Sequence, residues 1–126
     1  MWIENLTDKS FVIYISVSRE PEMRRELEII NEIVYGRDDC NVIINLANIE
    51  MLTSSSIAKL VMLHNSLDKN GRSLILCRVG LPTKGIFATA GLSSLFHFVN
   101  DVSDALAAIQ HSGNVESIAG NPLKRS

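Results

Sequence analysis

The sequence has little of several features that mark specialised proteins. Of its 126 residues, two are cysteine, three are proline and 6% are aromatic. Two cysteines are too few for a disulfide-rich secreted scaffold. Cys40 starts one predicted strand and Cys77 ends another, so the two thiols are separated along the sheet by more than a disulfide can bridge. We expect both to be reduced structural residues.

The sequence also lacks an excess of either charge and a long apolar run. Twelve basic side chains oppose fourteen acidic ones, for a net charge of −2. The basic residues are scattered, with a Lys124-Arg125 pair near the end, so no footprint for nucleic acid is expected. No apolar run approaches the roughly 20 residues of a membrane helix, and the N-terminus lacks a secretory pattern. We expect a cytoplasmic protein with no direct membrane insertion.

Aliphatic residues, in contrast, are abundant. Hydrophobic residues make up 46% of the chain, enough for the core of one ordinary domain. The last part of the chain, 112–126, contains Gly113, Gly120 and Pro122 and has no sustained periodicity. We therefore expect one domain over 1–111 followed by a flexible tail over 112–126.

The hydrophobic pattern alternates between strands and helices. The predicted elements are strands over 1–6 and 11–17, a helix over 23–35, a strand over 42–46, a helix over 54–70, a strand over 74–77, a helix over 84–90, a strand over 96–99 and a helix over 101–111. Polar turn residues between the first two strands indicate an antiparallel hairpin. The later alternation indicates parallel strands joined by helices. The expected fold class is α/β, a mixed and mostly parallel sheet opened by a hairpin, with about four helices.

Several enzyme sites are disfavoured by the residues present. A flavodoxin-type enzyme or response regulator would place ligand-binding groups where strands end, but the residues after the strand at 42–46 include no acidic cluster. The stretch 80–85 holds parts of a phosphate-binding loop in the wrong order. His64, His97 and His111 have no metal-ligand spacing. We expect no metal, no cofactor and no enzymatic activity, and we keep a small flavodoxin-type enzyme as a remote alternative.

Four consecutive hydroxyl residues, Thr53-Ser54-Ser55-Ser56, stand where the helix over 54–70 begins. One interpretation is capping, in which Thr53 or Ser54 accepts a backbone N–H, with a typical gain of about 1 kcal/mol. The other is phosphorylation, because the first turn of a helix favours an anion. Capping needs one oxygen, and the residues alone leave both interpretations open.

The outer side of the same helix suggests a docking surface. Helical phase places Lys59 and Met62 together with Ser55, opposite the apolar side of the helix. A single exposed Met is ordinary. Next to the hydroxyl run, however, Lys59 and Met62 become candidates for partner binding.

The arrangement resembles the STAS family, which includes sulphate transporter domains and anti-sigma factor antagonists. The resemblance covers residues 1–111 and rests on the hairpin, the strand "NVIINLA", the hydroxyl run, "NGRSLILCRV" and "AGLSSLFHFVNDVSDAL". The family pattern after that strand is Asp-Ser-Ser-Gly. Here Thr53 stands for the Asp and Ser56 for the Gly, while Ser54 and Ser55 match the two serines.

The resemblance implies a regulatory binding protein. In anti-sigma factor antagonists, a partner anti-sigma factor kinase phosphorylates the first serine of the pattern, which here is Ser54; Thr53, Ser55 and Ser56 would support the site. The unphosphorylated form binds the kinase and frees the sigma factor. Other STAS proteins are non-phosphorylated scaffolds or cytoplasmic subunits of transport complexes, and a homodimer is compatible with either role.

Overall fold

The computed structural model describes residues 1–16, 21–36, 39–49 and 52–119, with side chains described as far as residue 110. The strands are β1 (Trp2–Thr7), β2 (Ser10–Tyr14), β3 (Asn41–Asn45), β4 (Leu74–Cys77) and β5 (His97–Val99). The helices are α1 (Glu22–Tyr35), α2 (Ser54–Lys69), α3 (Leu81–Thr89) and α4 (Val102–Ala119).

The strands form a single mixed sheet in the order β1-β2-β3-β4-β5. β1 pairs with β2 in antiparallel register, with Ile3 opposite Ile13. The other neighbours are parallel. The predicted fold class is therefore confirmed, including the opening hairpin and the helices between parallel strands.

Both faces of the sheet are covered, because alternate strand residues point to opposite sides. One face packs against α1, α2 and α3; its residues from the strands, and from the positions directly after β2 and β3, are Phe11, Ile13, Ile15, Val42, Ile44, Leu46, Leu74 and Leu76. The other face packs against α4; its strand residues are Val12, Ile43, Ile75 and Cys77. This two-sided burial explains why the central strands are continuous aliphatic runs.

Two helix boundaries differ from the sequence prediction. α3 begins at Leu81, before the predicted start near Lys84, because Pro82 lies in the first turn, where its missing N–H breaks no helical hydrogen bond. α4 continues past the predicted end at His111 as far as Ala119. The assignment of 112–126 to a tail outside the domain stays a prediction, and 120–126 lie outside the described residues.

Both cysteines are buried thiols outside any disulfide, as predicted. Cys77 lies opposite Asn45 in the β3–β4 register, whereas Cys40 precedes the start of β3. The thiols therefore lie at opposite ends of β3. In the part of the chain that the structure describes, no helix is both long enough and apolar enough to span a membrane.

Candidate functional site

The start of α2 is capped by Thr53. Its backbone is extended, with φ −87° and ψ 166°, and its Oγ1 accepts the Ser56 N–H at 3.2 Å. Its carbonyl oxygen accepts the first helical hydrogen bond, from the Ile57 N–H, at 2.9 Å. Of the two residues that the sequence offered as caps, Thr53 is therefore the one used.

Ser56 is fully buried beneath this turn. Its side chain has an exposed fraction of 0%, and its Oγ accepts a hydrogen bond from Thr53 Oγ1 at 3.4 Å. A buried hydroxyl without a partner would be costly. The two residues that depart from the family's Asp and Gly thus contact each other, and Thr53 donates a hydrogen bond to the hydroxyl that Ser56 adds.

Ser54 and Ser55 are exposed on the same turn. Among the described residues, neither hydroxyl takes part in a hydrogen bond or ion pair. The hydroxyl run therefore divides into two parts. Thr53 and Ser56 build the helix start, and Ser54 and Ser55 are presented to solvent.

The described part of the segment between β3 and α2, residues 46–49 and 52–53, is anchored to the core. The Leu46 N–H donates to the Cys77 carbonyl at 3.0 Å, and the Ile49 N–H donates to the Leu46 carbonyl at 3.0 Å. Three of its side chains are buried: Leu46, Ile49 and Leu52. The exposed serines therefore stand on a base held by packing and by the neighbouring strand.

The electrostatics of this turn favour an anion. The first N–H groups of a helix lack helical acceptors and lie at the positive end of the helix dipole. The first turn of α2 contains no acidic residue, so no carboxylate on that turn repels a negative charge on Ser54. This geometry suits a phosphate.

Farther along α2, Met62 and Lys59 have different surroundings. Met62 is 53% exposed, as helical phase predicted. Lys59 is half-buried and does not share that outward side: its Nζ pairs with Glu28 of α1 at 3.4 Å. Its carbonyl oxygen accepts from Asn31 Nδ2 at 3.3 Å. Lys59 therefore links α2 to α1, because the close approach of the two helices draws this side chain inward.

Two residues at the same edge of the sheet were not identified from the sequence. β3 and β4 are parallel, so the chain segments that follow them lie at a common edge. After β4, Arg78 adopts a left-handed backbone with φ 57°, and Leu81 opens α3 with 81% of its surface exposed. The sequence prediction placed Leu81 in a turn before the helix. Its exposure follows from its position in the first turn of α3.

Away from the Ser54 turn, the described residues contain no cluster of three or more metal-ligating side chains. A groove of about 350 Å³ lies between α1 and α2; its lining residues are Val34, Tyr35, Ser66, Lys69 and Asn70. It lies at the last turns of the two helices, so it is separate from the Ser54 turn.

Several solved structures have the same fold. An anti-sigma-factor antagonist (STAS) domain protein from Planctomyces limnophilus has 18% identity and a TM-score of 0.76, covering 86% of this chain and 97% of its own. The Bacillus cell fate determinant SpoIIAA in its phosphorylated form has 14% identity and a TM-score of 0.66, covering 86% and 97%. A chain of the stressosome, described as a signal integration and transduction hub, has 12% identity and a TM-score of 0.67, covering 86% and 96%.

At these identities the solved structures establish the fold alone. No curated protein sequence matches significantly. The family model described as STAS domain, however, matches residues 13–105, which is well over half of the chain and includes the hydroxyl run. The chain belongs to the STAS domain family.

Proposed function

We propose that this protein is a regulatory binding protein of the anti-sigma factor antagonist type, switched by phosphorylation of Ser54. The observation that carries the proposal is the division of the hydroxyl run. Ser54 is exposed, and among the described residues its hydroxyl has no hydrogen-bond partner, while Thr53 caps the helix and Ser56 is buried beneath the turn. A kinase could therefore reach Ser54 without opening the fold.

The physical effect of phosphate would be local. A phosphoserine adds about −1.5 to −2 charges and three acceptor oxygens. At Ser54 the dianion would lie at the positive end of α2, so the helix would tolerate it. A partner docked on this turn would instead meet new bulk and charge, and the interface would weaken without refolding of the domain.

The proposed partner is a serine kinase that is itself an anti-sigma factor. The unphosphorylated protein would bind this kinase and free the sigma factor, and the phosphorylated protein would dissociate. The kinase would supply ATP and Mg²⁺, so the protein itself needs no cofactor and performs no chemistry. Met62, exposed on α2, and Lys59, at its α1 side, are proposed contacts. The proposed location is the cytoplasm, where such a kinase and sigma factor act.

Phosphorylation is tested by intact-mass analysis. The purified protein is incubated with ATP and a serine kinase of the anti-sigma type from the same genome. We expect one added phosphate on wild type and on Ser55→Ala, and none on Ser54→Ala. Ser55 is the matched control, because it is exposed on the same turn. Phosphate on Ser54→Ala but not on Ser55→Ala would assign the acceptor to Ser55 and refute this proposal.

The effect on binding is tested with a charge mimic. Ser54→Glu should weaken kinase binding at least about tenfold relative to Ser54→Gln, which has similar size without charge. The two variants should have nearly equal thermal stability, because residue 54 is exposed. Equal kinase affinity of the Glu and Gln variants would show that charge at this position does not operate the switch.

A second candidate function is a docking face that is never phosphorylated, as in a signalling scaffold or a cytoplasmic subunit of a transport complex. The Thr53–Ser56 contact favours it, because both residues replace the family's Asp and Gly. A homodimer is compatible with this role. Absence of phosphate on wild type after incubation with kinases of this type, combined with stable binding of Ser54→Glu to a scaffold partner, would support this candidate.

A further inference from the structure

The two edge strands of the sheet are protected against pairing to different degrees. β5 is three residues long, and so short a strand offers little backbone to another chain. β1, at the other edge, is six residues long and contains no lysine or proline, which often block edge strands. Its register irregularity, between Asn5 and Thr7, lies at the hairpin end. The first part of β1 is therefore an edge whose outer backbone groups have no strand partner among the described residues.

Exposed apolar side chains lie on both sides of this edge. Ile3 is 37% exposed and lies opposite Ile13, on the sheet face that carries α1. Trp2 is 65% exposed and lies opposite Tyr14, on the face that carries α4. The rings of Trp2 and Tyr14 are 5.3 Å apart, so the contact with Tyr14 holds the indole at the edge.

The helix α1 extends the apolar surface on the Ile3 side. Glu26 pairs with the Met1 amine at 3.4 Å, and Glu28 pairs with Lys59 of α2, so α1 lies between β1 and α2. Ile29 follows Glu26 by three residues and therefore faces the β1 side. α1 runs in the direction of β1, because it returns from β2 to the parallel strand β3. Ile29 is about 4.5 Å beyond Glu26 along the helix axis, which brings it near the level of Ile3.

This clustering distinguishes the edge from the rest of the described surface. Seven large hydrophobic side chains are exposed there, and four of them are Met1, Trp2, Ile3 and Ile29. These four residues are here termed the β1 edge patch. Single exposed apolar residues are ordinary, but a contiguous group typically marks an interaction surface. The β1 edge patch is therefore the strongest candidate for an interface outside α2.

The residues of β1 are self-complementary in one register. In a two-fold antiparallel pair that continues the sheet, one residue faces its own copy at the centre. A centre at Glu4 would set two carboxylates opposite each other, which is unfavourable. A centre at Asn5 would include the irregular stretch before Thr7. A centre at Ile3 sets Ile3 against Ile3 and Trp2 against Glu4 of the second copy, where an indole N–H donor faces a carboxylate.

We propose that two copies of this chain form a dimer by antiparallel pairing of β1 with β1, centred on Ile3. The two five-stranded sheets then become continuous. Ile29 of each copy flanks the Ile3 contact on one face, and Trp2 flanks it on the other. Because α1 separates this edge from α2, the outer side of α2 stays open in the dimer. The pairing does not depend on phosphorylation of Ser54.

Sedimentation velocity of the full chain over a concentration series tests the dimer. We expect a monomer–dimer equilibrium for wild type. Ile3→Lys and Ile29→Lys should each raise its dissociation constant at least about tenfold, because a charge replaces an apolar contact. Tyr35→Lys is the matched control. Tyr35 is an 85% exposed residue of α1 that lines the groove towards α2, so its replacement should leave the dissociation constant nearly unchanged.

Complementary charges test the register. Ile3→Lys and Ile3→Glu should each be mainly monomeric, and their equimolar mixture should form dimers, because residue 3 faces residue 3. A mixture that stays monomeric would overturn this pairing, and so would equal weakening by Ile29→Lys and Tyr35→Lys. A wild type that is monomeric at every concentration would overturn the proposal, whether another part of the chain or another protein covers the edge. Ser54→Glu should dimerise as wild type does, so failure here leaves the proposed switch intact.

Discussion

At the residue scale, the Thr53–Ser56 pair shows what the sequence could and could not predict. Hydroxyls before a helical pattern predict a cap, and the structure contains one at Thr53. The sequence could not show that Ser56 turns inward, because burial of the fourth residue depends on how deeply α2 packs on the sheet. Four similar residues therefore have two different roles.

Loss of the cap should be measurable. Thr53→Ala removes the acceptor of the Ser56 N–H and one hydrogen-bond partner of the buried Ser56 hydroxyl. We expect the free energy of unfolding to fall by about 1 to 2 kcal/mol in urea titrations. Ser54→Ala, on the adjacent exposed position, should change it little. Equal losses of unfolding free energy for the two variants would show that capping by Thr53 adds nothing to stability beyond the effect of an exposed serine.

The stability of the protein should also depend on pH through Cys77. Burial raises the pKa of this thiol from 9.0 to about 11, with Arg78 opposing the shift and Asp101 adding to it. Between those two values the unfolded chain loses the Cys77 proton and the folded chain keeps it. Ionisation therefore favours unfolding, and the contribution of Cys77 to stability is present below pH 9 and is lost as pH rises towards 11.

We expect this loss to reach roughly 1 to 3 kcal/mol. The loss is measured by urea titrations of wild type and Cys77→Ala at several pH values between 8 and about 11. The variant has a lower stability throughout because of the methyl-sized cavity, but its pH dependence should be shallower than that of wild type. Parallel curves would mean that Cys77 ionises equally in both states. The other side chains are the same in both proteins, so the difference between the two curves isolates the thiol.

At the element scale, α2 shows how far helical phase can predict the surroundings of a side chain. Phase gives the direction of each side chain from the helix axis, and it placed Met62 correctly in solvent. It does not show where a neighbouring helix lies. Lys59 points towards α1, and its Nζ pairs with Glu28. The early start of α3 has a separate cause, since a Pro ahead of a helical pattern fits either a turn or the first turn of the helix itself.

The α1–α2 contact should depend more on Asn31 than on the ion pair. Asn31 Nδ2 donates to the carbonyl oxygens of Leu27 at 3.0 Å and Lys59 at 3.3 Å, in a half-buried position. Asn31→Ala should reduce the free energy of unfolding by about 1 kcal/mol. Glu28→Gln should cost less than about 0.5 kcal/mol, because the Glu28 side chain is 47% exposed and solvent screens the pair.

Urea titrations at low and high salt separate these two effects. The Asn31→Ala loss should be independent of salt, and the Glu28→Gln loss should shrink further as salt is added. A Glu28→Gln loss as large as that of Asn31→Ala would reverse this ranking. The ion pair with Glu28 would then hold the Lys59 side chain, and Lys59 would be less available to a partner than its 26% exposure suggests.

At the scale of the whole molecule, the two faces of the sheet have different roles. Three helices cover one face and present the Ser54 turn at the edge where β3 ends, whereas α4 alone closes the other face. The order of strands and helices along the sequence was enough to predict this architecture, because each run of residues forms its element locally. The length of α4 was not predicted, since the residues after His111 have weak apolar periodicity.

The packing of α4 on its face of the sheet predicts how far the chain can be shortened from its C-terminal end. The apolar contacts of α4 among the described residues extend from Val102 to Ile109, so a chain ending at His111 should retain the core. Its free energy of unfolding should lie within about 1 to 2 kcal/mol of the full-length value, with the loss arising from any contacts of 112–126.

A chain ending at Asp101 uncovers Val12, Ile43 and Ile75, and it should not fold to a stable monomer, because buried apolar strand positions would face water. Circular dichroism and urea titration of the three lengths measure this. If the 1–111 chain were as unstable as the 1–101 chain, residues 112–119 would be part of the folded core, and the domain boundary expected from the sequence would be wrong.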